Sequence, residues 1–229
     1  MTQTIVFSVV AASAILAGAG LGSFWEPPKQ LQGALLAFAG GALVTALAFE
    51  LFLPAERETG LTSAAVALLA GATVFIGVDL LLDRKVGGRE AVGFALVAAV
   101  TLDGVPENIA LGVTLADEGS YALLAAIFAS NFPEALGGAA SIREDEKSRL
   151  LAFGIWAAVA VLLVVALVGG RLLGVSASDG TTALFLAFAA GAVLASIADT
   201  VLPEAFAEGG PLIGFATTAG FLTAYALAG

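Results

Sequence analysis

Two stretches of this 229-residue chain carry carboxylates in otherwise apolar surroundings. Residues 101–112 read TLDGVPENIALG and residues 129–138 read ASNFPEALGG. Each places a Glu directly after a Pro, and each Glu follows another oxygen-bearing side chain by four residues, Asp103 before Glu107 and Ser130 before Glu134. In a helix, residues four apart share a face about one turn apart. Asn131 adds an amide beside Ser130. Pro106 and Pro133 lack an N–H and crowd the carbonyl four residues earlier, at Leu102 and Ala129, so those carbonyls need other partners. Carboxylates, a hydroxyl, an amide and freed carbonyls are oxygen ligands of the kind divalent cations take. Asp103, Glu107, Ser130, Asn131 and Glu134 are the candidate metal ligands.

The elements that must position them are membrane helices. The chain is 59% hydrophobic and 12% charged, with mean hydropathy +1.01. Most of it falls into apolar runs near the about 20 residues that a spanning helix needs. A soluble domain of this length lacks the interior to bury so much apolar surface. A carboxylate in hydrocarbon costs several kcal/mol or more, so it persists where it is paired or used. The absence of Cys and His excludes disulfides, thiolate sites and imidazole ligands. The first apolar run has neither a basic flank before it nor a small-residue cleavage site after it, which predicts a retained helix.

Eight spans are predicted, at residues 4–24, 31–53, 61–82, 91–115, 119–141, 150–173, 182–202 and 211–228, forming a single all-α membrane domain over 1–229. Loops one, three and five hold Lys29, Arg84, Lys85, Arg89, Arg143, Lys147 and Arg149, whereas the even loops hold only Arg57 and Arg171. This seven-to-two bias predicts cytoplasmic odd loops and extracytoplasmic termini in the cell (inner) membrane. Span two, FAGGALVTALAFELFLPAE from Phe38, resembles span seven, FAAGAVLASIADTVLPEAF from Phe188. Both reach a Leu-Pro end four residues after a carboxylate, Glu50 before Pro54 and Asp199 before Pro203. Similar segments in opposite orientation predict an inverted repeat, spans 1–3 against spans 6–8, around central spans 4 and 5. Glu50 and Asp199 then stand near opposite mouths, where they could pass ions to and from the centre. Asp79 is expected to pair with Arg84 or Lys85.

The two Pro-Glu helices resemble spans four and five of the ZIP (Zrt-/Irt-like) metal transporters, whose span-four motif is usually His-Asn-x-Pro-Glu-Gly. The Leu-Pro endings and the G-x-x-x-F-x-x-x-D-x-x-L-D-R pattern of residues 71–84 resemble the same family. The resemblance implies an eight-helix bundle, often a homodimer, that moves divalent metals such as zinc, manganese or iron into the cytoplasm. It places the family's span-four His on Asp103, its Asn on Gly104 and its Glu on Glu107. On span five it places the polar pair on Ser130 and Asn131, and the Glu on Glu134. Gly104 supplies no ligand, and residues 150–170 hold no acidic, His, Cys or Met residue. One principal metal per chain is therefore expected. Asp103 in place of imidazole makes that site harder and more anionic.

The expected partners are divalent metal ions and the lipid bilayer, with no nucleic acid. The competing reading is a ZIP-like membrane protein that does not transport and acts as a metal sensor or assembly partner. No enzyme is expected, because the Gly-x-Gly-Asp context of intramembrane aspartyl proteases is missing and most other hydrolytic arrangements need His or Cys.

Overall fold

The computed structural model describes residues 2–85, 92–146 and 148–228, with side chains outside 82–100 and 145–147. The described chain is all helix: α1 (Thr2–Gly22), α2 (Lys29–Ala46), α3 (Leu53–Thr59), α4 (Leu61–Lys85), α5 (Val92–Thr114), α6 (Tyr121–Glu146), α7 (Arg149–Ser176), α8 (Asp179–Ser196), α9 (Leu202–Gly209) and α10 (Ile213–Ala228). Six stretches of the described residues are long and apolar enough to cross a membrane: Thr2–Gly22, Lys29–Thr59, Leu61–Leu81, Tyr121–Glu144, Arg149–Ser176 and Asp179–Ala228. The last comprises 50 residues and contains both α8 and α10. The pairing expected of Asp79 with Arg84 or Lys85 lies outside the described side chains.

Helix α2 does not stop at its Leu-Pro end. It passes through a π-helical turn, Leu47–Phe52, into α3, and α8 passes through Ile197–Val201 into α9 in the same way. Pro54 and Pro203 occupy the first turns of α3 and α9. A proline cannot donate to the carbonyl four residues back, so the ladder must loosen just before it. Leu53 N–H accordingly reaches the Ala48 carbonyl, and Leu202 N–H reaches that of Ile197, each five residues back. The helices thus outrun the expected ends at 53 and 202, finishing at Thr59 and Gly209. Both are closed by a glycine at positive φ, Gly60 (80°) and Gly210 (66°), where a side chain would be strained.

Pro106 and Pro133, in contrast, lie inside α5 and α6, which run through them as continuous helices.

The closest helix pairs rest on glycines. A methyl on Gly41 of α2 would collide with the Thr217 carbonyl of α10, and one on Gly220 with the Phe38 carbonyl. The α4–α8 pair is made in the same manner: Gly191 lies against the Leu68 carbonyl and Gly71 against that of Phe188. Small residues at such crossings let backbones approach in lipid, where no hydrophobic force drives helices together. Gly18 of α1 likewise abuts the Phe132 carbonyl of α6, and Gly170 of α7 that of Ile109 in α5.

Two large apolar cores fill the bundle, with two small clusters around Ala55 and Leu36 beside them. One gathers Phe7, Leu43, Leu47, Leu111, Leu123, Ile127, Leu167 and Val193; the other gathers Ile15, Ala135, Ala139, Ile142, Trp156 and Leu163. Along α6 the first core ends at Ile127 and the second begins at Ala135. The polar stretch from Ser130 to Glu134 lies between them.

The outward faces are apolar as well. Val66, Leu69, Val74 and Leu80 of α4, Val161, Val165 and Leu172 of α7, and Phe215 and Leu222 of α10 are all exposed. A surface of this kind calls for hydrocarbon rather than water around it.

Candidate metal centre

The five residues chosen from spacing are all deeply buried. Asp103, Glu107, Ser130, Asn131 and Glu134 are at most 7% exposed. Asp103 and Glu107 come from α5, the others from α6, and α5 packs on α6 directly. Asp103, Glu107 and Glu134 lie within electrostatic reach of one another. The i, i+4 spacing on α6 is realised as a contact, with the Ser130 hydroxyl donating to Glu134 Oε1 at 2.7 Å.

Asp103 is held from a third helix. Ser196, at the end of α8 and 1% exposed, donates its hydroxyl to Asp103 Oδ2 at 2.6 Å. Thr200, in the π turn that follows, lies 3.3 Å from Ser196 Oγ and donates back to the Ser196 carbonyl. No local spacing points to this partner, since it lies 93 residues away along the chain.

Two buried amides belong to this layer, Asn131 and the additional Asn108. Asn108 is fully buried, with Nδ2 donating to the Gly104 carbonyl and Oδ1 left without a partner. Neither Oδ1 nor Nδ2 of Asn131 has one. An unpartnered buried polar atom costs about 1–3 kcal/mol, so such atoms mark places where another group is to be met. Spacing named Asn131 and missed Asn108, although its position directly after Glu107 was a signal.

Among the described residues no three carboxylates converge on a single point as a preformed ligand cage. Two of them are tied to neighbouring hydroxyls instead, Asp103 to Ser196 and Glu134 to Ser130. Like charges in a poorly screened interior repel strongly, so three ionised carboxylates converge only around a cation.

A cavity opens at each end of this layer. The larger, about 390 Å³, is lined by Glu50, Asp117, Glu118, Ser120, Asp179 and Thr182, a strongly acidic set. Glu50 is half-buried in the π turn and faces this space. The smaller, about 160 Å³, is lined by Glu26, Lys29, Gln32, Ser141, Glu144 and Glu208. Asp199 is exposed in the second π turn, and the carboxylates at this mouth are Glu26, Glu144 and Glu208. In the numbering of the predicted spans, even loops line the first cavity and loops one, five and seven line the second.

Compared with models of protein families and with curated proteins, the sequence matches neither a family model nor an individual protein.

Proposed function

We propose that this chain is a divalent-cation transporter of ZIP-like design, which carries zinc-, manganese- or iron-type ions through the carboxylate layer of α5 and α6. The observation that carries this reading is the burial of Asp103, Glu107 and Glu134 within electrostatic reach of one another between two apolar cores, with an acidic cavity beyond each end. A structural role would need only neutral hydrogen bonds there, and three neighbouring ionised carboxylates are costly without a cation.

The proposed architecture has eight crossings: α1, α2 with α3, α4, α5, α6, α7, α8 with α9, and α10. Supporting an inverted repeat are the matched π turns before Pro54 and Pro203 and the matched glycine contacts of α2 with α10 and α8 with α4. The basic residues Lys29, Arg143 and Arg149 sit at the end with the smaller cavity, which we take as cytoplasmic, with both termini outside.

An ion collected in the outer cavity exchanges its waters for Asp103 and Glu107 of α5 and Glu134 of α6. The orphaned amide oxygens of Asn108 and Asn131 are further donors within the same layer. Ser196 and Ser130 hold two carboxylates in position before the ion arrives, which lowers the ordering cost of binding. Rocking of the paired helices then opens the layer to the smaller cavity.

Uptake of Mn²⁺ and Zn²⁺ into liposomes holding the purified chain tests this. Accumulation that disappears in both Glu107→Gln and Glu134→Gln is the expected result. A folded parent protein that binds metal without accumulating it would favour the sensor reading.

A further inference from the structure

The smaller cavity has features that a passive vestibule does not need. Gln32, in the first turns of α2, lines it and is 4% exposed. Its Nε2 donates to the Pro133 carbonyl at 2.7 Å, yet its Oε1 is buried without any partner. The side chain crosses to α6 over Gly137, where a Cβ would lie 2.6 Å from Nε2. An amide that spends its donor on the backbone and leaves its acceptor bare is free to meet an electropositive partner, and beside carboxylates that partner can be a cation.

Glu208 lines the same cavity from the end of α9, and its Oε2 is also buried and unpartnered. Gly33 makes this possible: with no side chain, it lets the Gly209 backbone close on α2, so Glu208 stands beside the first turn that carries Gln32. Lys29 lies within electrostatic reach of Glu208, and Glu144 faces the same space from α6. Glu204, one turn earlier on α9, lies within electrostatic reach of both Glu208 and Glu134. Carboxylates therefore continue from the central layer toward this cavity, and Gln32, bonded to the residue just before Glu134, stands at the boundary.

We propose that the cavity is a second cation site, in which Gln32 Oε1 and the Glu208 carboxylate hold a divalent ion on its way from the central layer. The inference rests on the transport reading only for where the ion comes from. All ligands are oxygens, so the site takes hard and borderline divalent ions such as Mn²⁺. Two protein ligands and the nearby Lys29 charge make it weaker than the central layer, as suits a place from which ions leave.

Binding of Mn²⁺ to the purified full-length chain, followed by electron paramagnetic resonance, isolates the site. In the Glu107→Gln/Glu134→Gln variant, one Mn²⁺ per chain should remain bound. Adding Glu208→Gln should weaken that ion at least tenfold, while adding Gln32→Glu or Lys29→Gln should tighten it by a similar factor. Both Glu/Gln exchanges preserve shape, so loss of fold does not imitate the result. Parent binding with none left in the Glu107→Gln/Glu134→Gln variant overturns this site and leaves the transport reading standing. Retained binding that ignores Glu208→Gln and Gln32→Glu overturns it as well. A parent that fails to accumulate Mn²⁺ in liposomes while the inner ion persists overturns the transport reading alone.

Discussion

Replacing Glu107 or Glu134 with Gln tests the core of the reasoning through stability as well as uptake. Both side chains are almost fully buried, and each lies within electrostatic reach of Asp103. Removing one charge relieves repulsion in the metal-free protein, so neither variant should unfold more easily than the parent. The difference lies in the response to metal. A ligand at 100 times its Kd stabilises the state that binds it by about 2.7 kcal/mol. For a chain of this size, that corresponds to a rise in Tm of roughly 5–11 °C. The parent should show this rise with Mn²⁺ or Zn²⁺ in detergent, and each Gln variant should lose most of it, along with uptake. Thermal unfolding followed by tryptophan fluorescence reads the shift, since Trp156 sits at 0% exposure in the second core. Two Gln variants that keep the parent's metal-dependent shift and its uptake would refute a cation role for the layer.

Asp103→His should raise the preference for zinc over manganese in competition uptake, because imidazole favours zinc and carboxylate oxygen favours manganese; an unchanged ratio would remove Asp103 from the ligand set. For topology, Asp117→Cys at the larger cavity should be labelled by an impermeant thiol reagent in intact cells, and Glu144→Cys at the smaller one should be shielded. Gly71→Ala should cost about 1–3 kcal/mol by forcing α4 away from the Phe188 carbonyl, whereas Gly77→Ala, with open space around it, should be near neutral or slightly stabilising in a thermal melt.

Composition and run length made the helical, apolar character of the chain legible, because both are local properties. The Pro-Glu stretches were legible too: their type, their spacing and the cost of a carboxylate in hydrocarbon all predict burial, and burial is found. Ser130 with Glu134 could be foreseen because both lie on one helix. Ser196 could not, since its tie to Asp103 depends on which helix packs beside α5. Gln32, Glu204 and Glu208 escaped for a similar reason. Their significance comes from the meeting of α2, α6 and α9 at one end of the bundle, and no periodicity encodes that meeting. The Leu-Pro ends marked where the ladder loosens but neither the π turns nor the continuation to Thr59 and Gly209, because proline removes one donor and packing decides how the helix goes on.

The two π turns give the bundle a mechanical property apart from ion chemistry. A π turn holds one residue more than the α-helix would use over the same rise. Each residue of an α-helix advances the chain by about 100° of rotation. Taking up that one residue of slack would turn α3 or α9 about its own axis by roughly that angle, with little change in the length of the crossing. At α9 the rotation would sweep Glu204 and Glu208 around the helix together, while Ser196, just before the turn, kept its grip on Asp103. The paired helices α2–α3 and α8–α9 thus each carry a step of register, rather than a bend, just before Pro54 and Pro203.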